Sequence, residues 1–357
     1  MAEPFIPDYA VPPGETLLET LKKLGMSQAK LAARAGRPLK TVNEIIKGKT
    51  AITPETALQL ERVTGIPATV LNALERNYRE ALAQKEEQQR LKAAIAWLPQ
   101  IPVKELLKRK CIEPRQSQEA LVAEVLRFFG VSSPEAWEQY WNGVAFRRSP
   151  AFTASPGAMA AWLRIGELEA HKITCRPFDR VAFIHGLSGL RELTVREPKD
   201  ITTELVKRCK TWGIAVVFTA ALPKTHVSGA TQWLTQDKAL MQLSCRFKAD
   251  DHFWFTFFHE AGHILLHGKK GAFLDTQKLG TEGVEAEANT FAANLLIPTG
   301  TLRAFLKTWN RTENAIRAFA RDLGIAPGVV VGQLQHHGVI TFRDFNALKR
   351  NGFDLTT

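Results

Sequence analysis

Between Glu15 and Gly65 the apolar positions recur at helical spacing and are broken by short stops. "TLLETLKKLG" closes on Gly25, and "SQAKLAARAG" opens on Ser27, a good N-cap, and closes on Gly36. "RPLKTVNEIIKG" carries Pro38 near its first turn and Gly48 just past its last. "TPETALQLERVTG" runs from the cap Thr53 and Pro54 to Gly65. The pattern predicts four short helices, with a tight glycine-containing turn between the second and third, hence a helix-turn-helix unit. In the third helix it assigns Leu39, Val42, Ile45 and Ile46 to the core, leaving Lys40, Thr41, Asn43, Glu44 and Lys47 on the other face.

From Pro67 to Trp97 the stretch containing "NYREALAQKEEQQRLKAAIAWL" alternates charge as an exposed helix does, and Pro99 and Pro102 end it. It reads as a spacer, a dimerisation helix or a support for the next domain. Residues 103–190 hold amphipathic helices such as "SQEALVAEVLRFFG" and "SPEAWEQYWNG", with Ser117 and Ser133 as caps; "FRRS" and "AAWLRIGELEAHKI" continue the helical pattern. Over 195–245 the period changes: "GIAVVFT" and "KALMQLSC" are short β-rich runs that predict a small sheet. "DDHFWFTFFHEAGHILLHG" then reads as one helix from about Asp250 to His267, stopped at Gly268. "TEGVEAEANTFAANLLIP" reads as another, bounded by Thr281 and Pro298, with Phe291, Leu295 and Leu296 turned to the core.

A chain of 357 residues exceeds one ordinary core and predicts two or three domains. Its longest apolar runs, such as "IAVVFTAAL", are far too short to span a bilayer, so no membrane is expected. The acidic, proline-rich start lacks the basic and apolar regions of a signal peptide. Cys111, Cys175, Cys209 and Cys245 are scattered, which argues against a disulfide framework or a cysteine zinc site and makes the cytoplasm the expected compartment. Net charge is +11, and residues 20–50 hold eight Lys/Arg against one acid, Glu44. A basic face on a helix-turn-helix unit suits a DNA duplex: Lys40, Thr41, Asn43, Glu44 and Lys47 can reach base edges and phosphates. Gln28 and Lys30, at the start of the second helix, suit phosphate contacts. A small bundle whose basic face is merely solvated is the competing reading.

His259 and His263 stand four apart and share one helical face, so two imidazoles can hold one metal ion while Glu260 beside them activates water. The small Ala261 and Gly262 at the intervening positions strengthen the motif. His267 continues the row, but His259 and His267 are roughly 12 Å apart along a regular helix, so His267 is read as a supporting, hydrogen-bonding residue or a helix-end cation. A third ligand is sought in the next helix among Glu282, Glu285 and Glu287. The spacing favours Glu285, because Asn289 lies four residues on and can orient a ligand imidazole, while Glu287 points some 200° around the helix. Zinc is the expected cofactor; two histidines and a glutamate also accommodate manganese. His336, His337, His267 and Arg246 are candidates to stabilise an oxyanion.

The block "PPGETLLETLKKLGMSQAKLAARAGRPLKTVNEIIKGKTAITPETALQLERVTGIP" resembles the DNA-binding domain of HigA-type antitoxins, a branch of the Xre-like repressors. That resemblance implies dimeric binding to a double-stranded operator. Arg37-Pro38-Leu39 departs from it, since the family often opens the recognition helix with a small or polar residue. "HEAGHILLH", "EAEANTFAANLLIP" and "LGIAPGVVVGQLQHHGVI" resemble the ImmA/IrrE family of gluzincin metallopeptidases. This second resemblance implies His259, His263 and Glu285 as metal ligands, Glu260 as general base and Asn289 in support. It also implies a protein substrate, a repressor or antitoxin, cleaved in a stress, toxin–antitoxin or mobile-element circuit. The rival expectation is a non-enzymatic, antitoxin-like repressor whose zincin domain binds a toxin or senses a signal. The expected fold is multidomain and mainly α. It comprises a helix-turn-helix bundle (1–78), a helical connector (79–190), an α+β zincin-like metallopeptidase core with a small sheet (191–300) and a helical extension (301–357).

Overall fold

The computed structural model describes residues 11–142, 155–268 and 281–353, so "FRRS" and the side chain of Glu282 lie outside the described residues. The chain divides into two compact units, residues 1–96 with 115–123 and residues 97–114 with 124–357. Each has its own core.

In the first unit, α1 (Pro13–Lys23), α2 (Gln28–Ala35), α3 (Leu39–Ile46) and α4 (Pro54–Thr64) precede the long α5 (Ala68–Ala93). The Ser27 hydroxyl accepts from the Lys30 amide and the Thr53 hydroxyl from the Thr56 amide, each at 3.2 Å, satisfying helix-start donors. Gly36 and Gly65 end α2 and α4 in the left-handed region, which a glycine enters without steric cost. Leu17, Leu21, Leu31, Val42, Ile45, Ile52, Leu60 and Leu71 form the core. One assignment is corrected. Leu39 is 45% exposed, because the buried arc of this two-turn helix narrows to Val42 and Ile45 and its first residue projects outward. Beyond Glu75, α5 has no buried residue, and its Arg76–Glu80 and Arg90–Glu86 pairs lie on solvated faces.

The second unit contains α6 (Val103–Lys108), the second half of α7 (Gln118–Phe129), then α8 (Pro134–Trp137), α9 (Pro156–Lys172), α10 (Arg180–Arg191) and α11 (Pro198–Cys209). A sheet comes next, made of β1 (Ile214–Phe218), β2 (Gly229–Thr235) and β3 (Lys238–Leu243) in the order β1-β3-β2. β1 runs parallel and β2 antiparallel to β3. The first and last of these match the β-rich runs in the sequence; β2 was not foreseen. After the sheet come α12 (Asp250–Gly262), α13 (Thr281–Leu296), α14 (Thr299–Thr308), α15 (Glu313–Leu323) and α16 (Pro327–His336).

Both faces of the sheet are covered, which is why β1 and β3 read as near-continuous apolar runs. Ala215, Val217 and Leu240 pack with Ala170 of α9. Ile214, Val216, Ala239 and Met241 join Phe253, Trp254, Phe257 and Phe258 of α12 in the main core. Gly166 makes the α9 contact close: a Cβ there would stand 2.0 Å from the Gln242 side chain, which donates to the Trp162 carbonyl at 2.8 Å.

The start of α12 is fixed by charge. Asp250 and Asp251 are buried, and the carboxylates meet Arg350 at 3.3 Å and Lys349 at 2.6 Å. Arg350 also donates to the carbonyls of Thr194, Val195 and Arg196. Gly328 and Gly332 of α16 leave room for the two carboxylates. No described helix is long and apolar enough to cross a membrane.

Candidate metal centre and nucleic-acid interface

The motif helix is regular only to Gly262; His263–His267 form one turn of π-helix that ends at Gly268. The expected single helix therefore changes pitch inside the motif, and π-turns of this kind are frequent at functional sites. At Gly262 α13 approaches closely. A Cβ on it would stand 3.3 Å from the Ala288 Cα and 3.1 Å from the Phe291 ring. Small residues at the crossing let α13 bring Glu285 and Asn289 over the histidines.

His259 Nε2 and His263 Nε2 are 3.0 Å apart. Glu285 Oε2 is 3.2 Å from the first, and Oε1 is 3.5 Å from the second. These residues form a group able to hold a metal ion. Ligand atoms about 2.0–2.2 Å from a tetrahedral ion lie roughly 3.3–3.6 Å from one another, close to the spacing seen.

Hydrogen bonding at the far ring nitrogens explains why three acceptors converge. His259 Nδ1 is 2.9 Å from the Asn289 amide oxygen and must donate to it, leaving Nε2 with a lone pair. His267 Nε2 lies 3.2 Å from Glu287 Oε2 and donates there, so in the neutral ring its Nδ1 is an acceptor. That acceptor is 3.1 Å from His263 Nδ1, whose proton it takes, leaving His263 Nε2 also with a lone pair. His263 and His267 are the first and last residues of the π-turn. Two imidazole lone pairs and a carboxylate thus face one point, an arrangement that calls for a cation.

Without a metal, a proton takes that place. Burial works against charge on His259, but the Glu285 hydrogen bond, the nearby Glu260 and Glu285 charges and Asn289 together raise its pKa above the ordinary value. Hydrogen bonds from His259 and His263 hold the Glu285 carboxyl well below the usual range.

Glu260 is 5% exposed and lies on the neighbouring face of α12. It packs against the first residue of β2: a Cβ on Gly229 would stand 2.7 Å from Glu260 Oε1. No described strand pairs with the outer edge of β2. Of the oxyanion candidates, exposed His336 lies 5.9 Å, ring to ring, from Phe255, which stacks 6.3 Å from His259. Arg246 donates to the His226 carbonyl at 2.8 Å, and His267 is committed to His263 and Glu287. His337 is exposed next to His336.

Residues 209–334 match the family described as IrrE N-terminal-like domain, Peptidase_M78, and residues 17–81 match the family described as helix-turn-helix. The chain joins a helix-turn-helix domain to an IrrE-type peptidase-family domain. No curated protein matches it. The His259–His263–Glu285 group lies wholly within the IrrE-type segment.

In the helix-turn-helix domain, Lys30, Lys40 and Lys47 are exposed, while Gln28, Thr41, Asn43 and Glu44 are half-buried. The Glu44 carboxylate accepts from the Thr50 hydroxyl at 3.0 Å and lies 3.9 Å from Lys40 Nζ.

Proposed function

We propose that this chain is a cytoplasmic DNA-binding transcriptional regulator whose IrrE-type domain is a metal-dependent endopeptidase acting on a protein partner. The carrying observation is the convergence of two imidazole lone pairs and a carboxylate beside a buried glutamate. His259, His263 and Glu285 would hold zinc, or manganese, with Asn289 and His267 orienting the two imidazoles. When bound, such an ion supplies Lewis acidity to a water and to the scissile carbonyl.

Glu260 takes the proton of the attacking water as the oxygen–carbon bond forms. It then hands that proton to the departing amine nitrogen as the carbon–nitrogen bond breaks, giving a carboxylic acid and an amine. The outer edge of β2 suits an extended peptide, because unpaired strand N–H and C=O groups bind another backbone, and Gly229 brings that edge against Glu260. The substrate class in keeping with a DNA-bound peptidase is a repressor, antitoxin or toxin that meets it at an operator. Dimeric binding there suits a helix-turn-helix domain.

The test is zinc analysis of the purified chain and of Glu260→Gln, each then incubated with proteins encoded beside its gene. Both forms should carry one equivalent of zinc, and hydrolysis should fall about 10²- to 10⁴-fold in the variant. Equal cleavage by both, or absence of metal from both, defeats the reading.

A further inference from the structure

The outward face of α3 has an apolar member that the core does not use. Leu39, Asn43 and Lys47 succeed one another at i, i+4 and i+8 and so form one row along that face. Leu39 is 45% exposed at the first position of the helix. Pro38 before it makes no side-chain cap hydrogen bond. Lys30, Lys40, Lys47 and Lys49 of the same domain are exposed, and their positive charge suits a phosphate backbone. Glu44, the acid of this face, is turned toward Thr50 and Lys40.

A single exposed leucine usually needs no explanation. This one stands at the N-terminal end of the helix that, in a helix-turn-helix domain, contacts base edges first. In the major groove the apolar feature of a base pair is the thymine C5-methyl. We propose that Leu39 reads that methyl and thereby sets a preference for thymine at one position of each half-site. The inference rests on the DNA-binding reading above and extends it to the chemistry of one base. Asn43, next along the row, has the amide geometry that pairs with adenine N6 and N7, so the same face favours A·T pairs.

The test uses the full chain and a pool of random duplexes. After selection of a tightly bound duplex, each thymine is replaced in turn by deoxyuridine, which removes one methyl and leaves every hydrogen bond in place. One replacement per half-site should weaken binding roughly three- to fivefold, the effect of losing one buried methyl. Leu39→Ala should lose the same factor and bind the thymine and deoxyuridine duplexes equally. Its unchanged binding to the deoxyuridine duplex, relative to the unsubstituted chain, doubles as the folding control. Insensitivity to every deoxyuridine, or an alanine variant that stays sensitive, overturns the role of Leu39 and leaves DNA binding standing. A variant weakened on the deoxyuridine duplex as well assigns Leu39 to a protein contact and also overturns it. Failure to select any duplex removes both readings.

Discussion

Carboxylates sit at both ends of α12, two of its own at the start and two from α13 at the other, in opposite electrostatic conditions. At its start, two buried aspartates meet Arg350 and Lys349, so the chain supplies its own counter-charge. At the other end, Glu285 and Glu287 have histidines and, among the described residues, no Lys or Arg as ion-pair partners. The first end is neutral as folded. The second is completed by something added, and that difference separates a carboxylate that anchors a helix from one that can bind a metal.

The comparison breaks most visibly if the anchoring end proves dispensable. Asp250→Ala should cost about 3–5 kcal/mol, because it strands a partly buried guanidinium that the carboxylate neutralises. In the metal-free chain, Glu285→Gln should cost under about 1 kcal/mol, since that carboxylate is more than half exposed and its pairing is screened by solvent. Urea denaturation of both variants in chelator measures the difference; equal losses would erase the asymmetry.

The metal end sharpens next at its outer pair. Glu287→Ala should free His267 to rotate, lose the imposed tautomer of His263 and weaken zinc binding about 10- to 100-fold, with the fold unchanged. Competition with a chromophoric chelator reads this directly, and unchanged affinity would detach Glu287 and His267 from the site.

The smallest effect is a pH dependence of opposite sign with and without metal. In the metal-free chain the raised His259 pKa gives stability that is full below the ordinary imidazole value of about 6.5 and fades as pH rises through the raised one. Glu285, with a lowered pKa, contributes above the ordinary carboxyl value of about 4.3 and loses that share only on strong acidification. Metal requires the neutral imidazole and so gains as pH rises. The increase in Tm on adding zinc should therefore grow between about pH 6 and about pH 8. A zinc-induced shift that is constant across that range would contradict the exchange of proton for metal.

How much was readable in the sequence depends on how local each signal is. His259 and His263 declare themselves because a four-residue spacing fixes two side chains on one face. Glu285 was favoured by its own i, i+4 relation to Asn289, and the structure places it, and not Glu287, against the two histidines. β2 carried little signal, since its hairpin turns through Gln236-Asp237 with no glycine to mark it, and the strand slips register between Trp233 and Thr235. The Asp250–Arg350 clamp was invisible because its partners lie 100 residues apart. Leu39 misled because periodicity places it beside the buried arc, and only packing decides how wide that arc is.

The free edge of β2 has a consequence for choice of substrate. An edge strand engages main-chain groups, which every protein has, but it can engage them only in a segment able to lie extended. On the proposed mechanism a partner's own folded state is then its protection, and what this peptidase selects is a stretch that its owner can release.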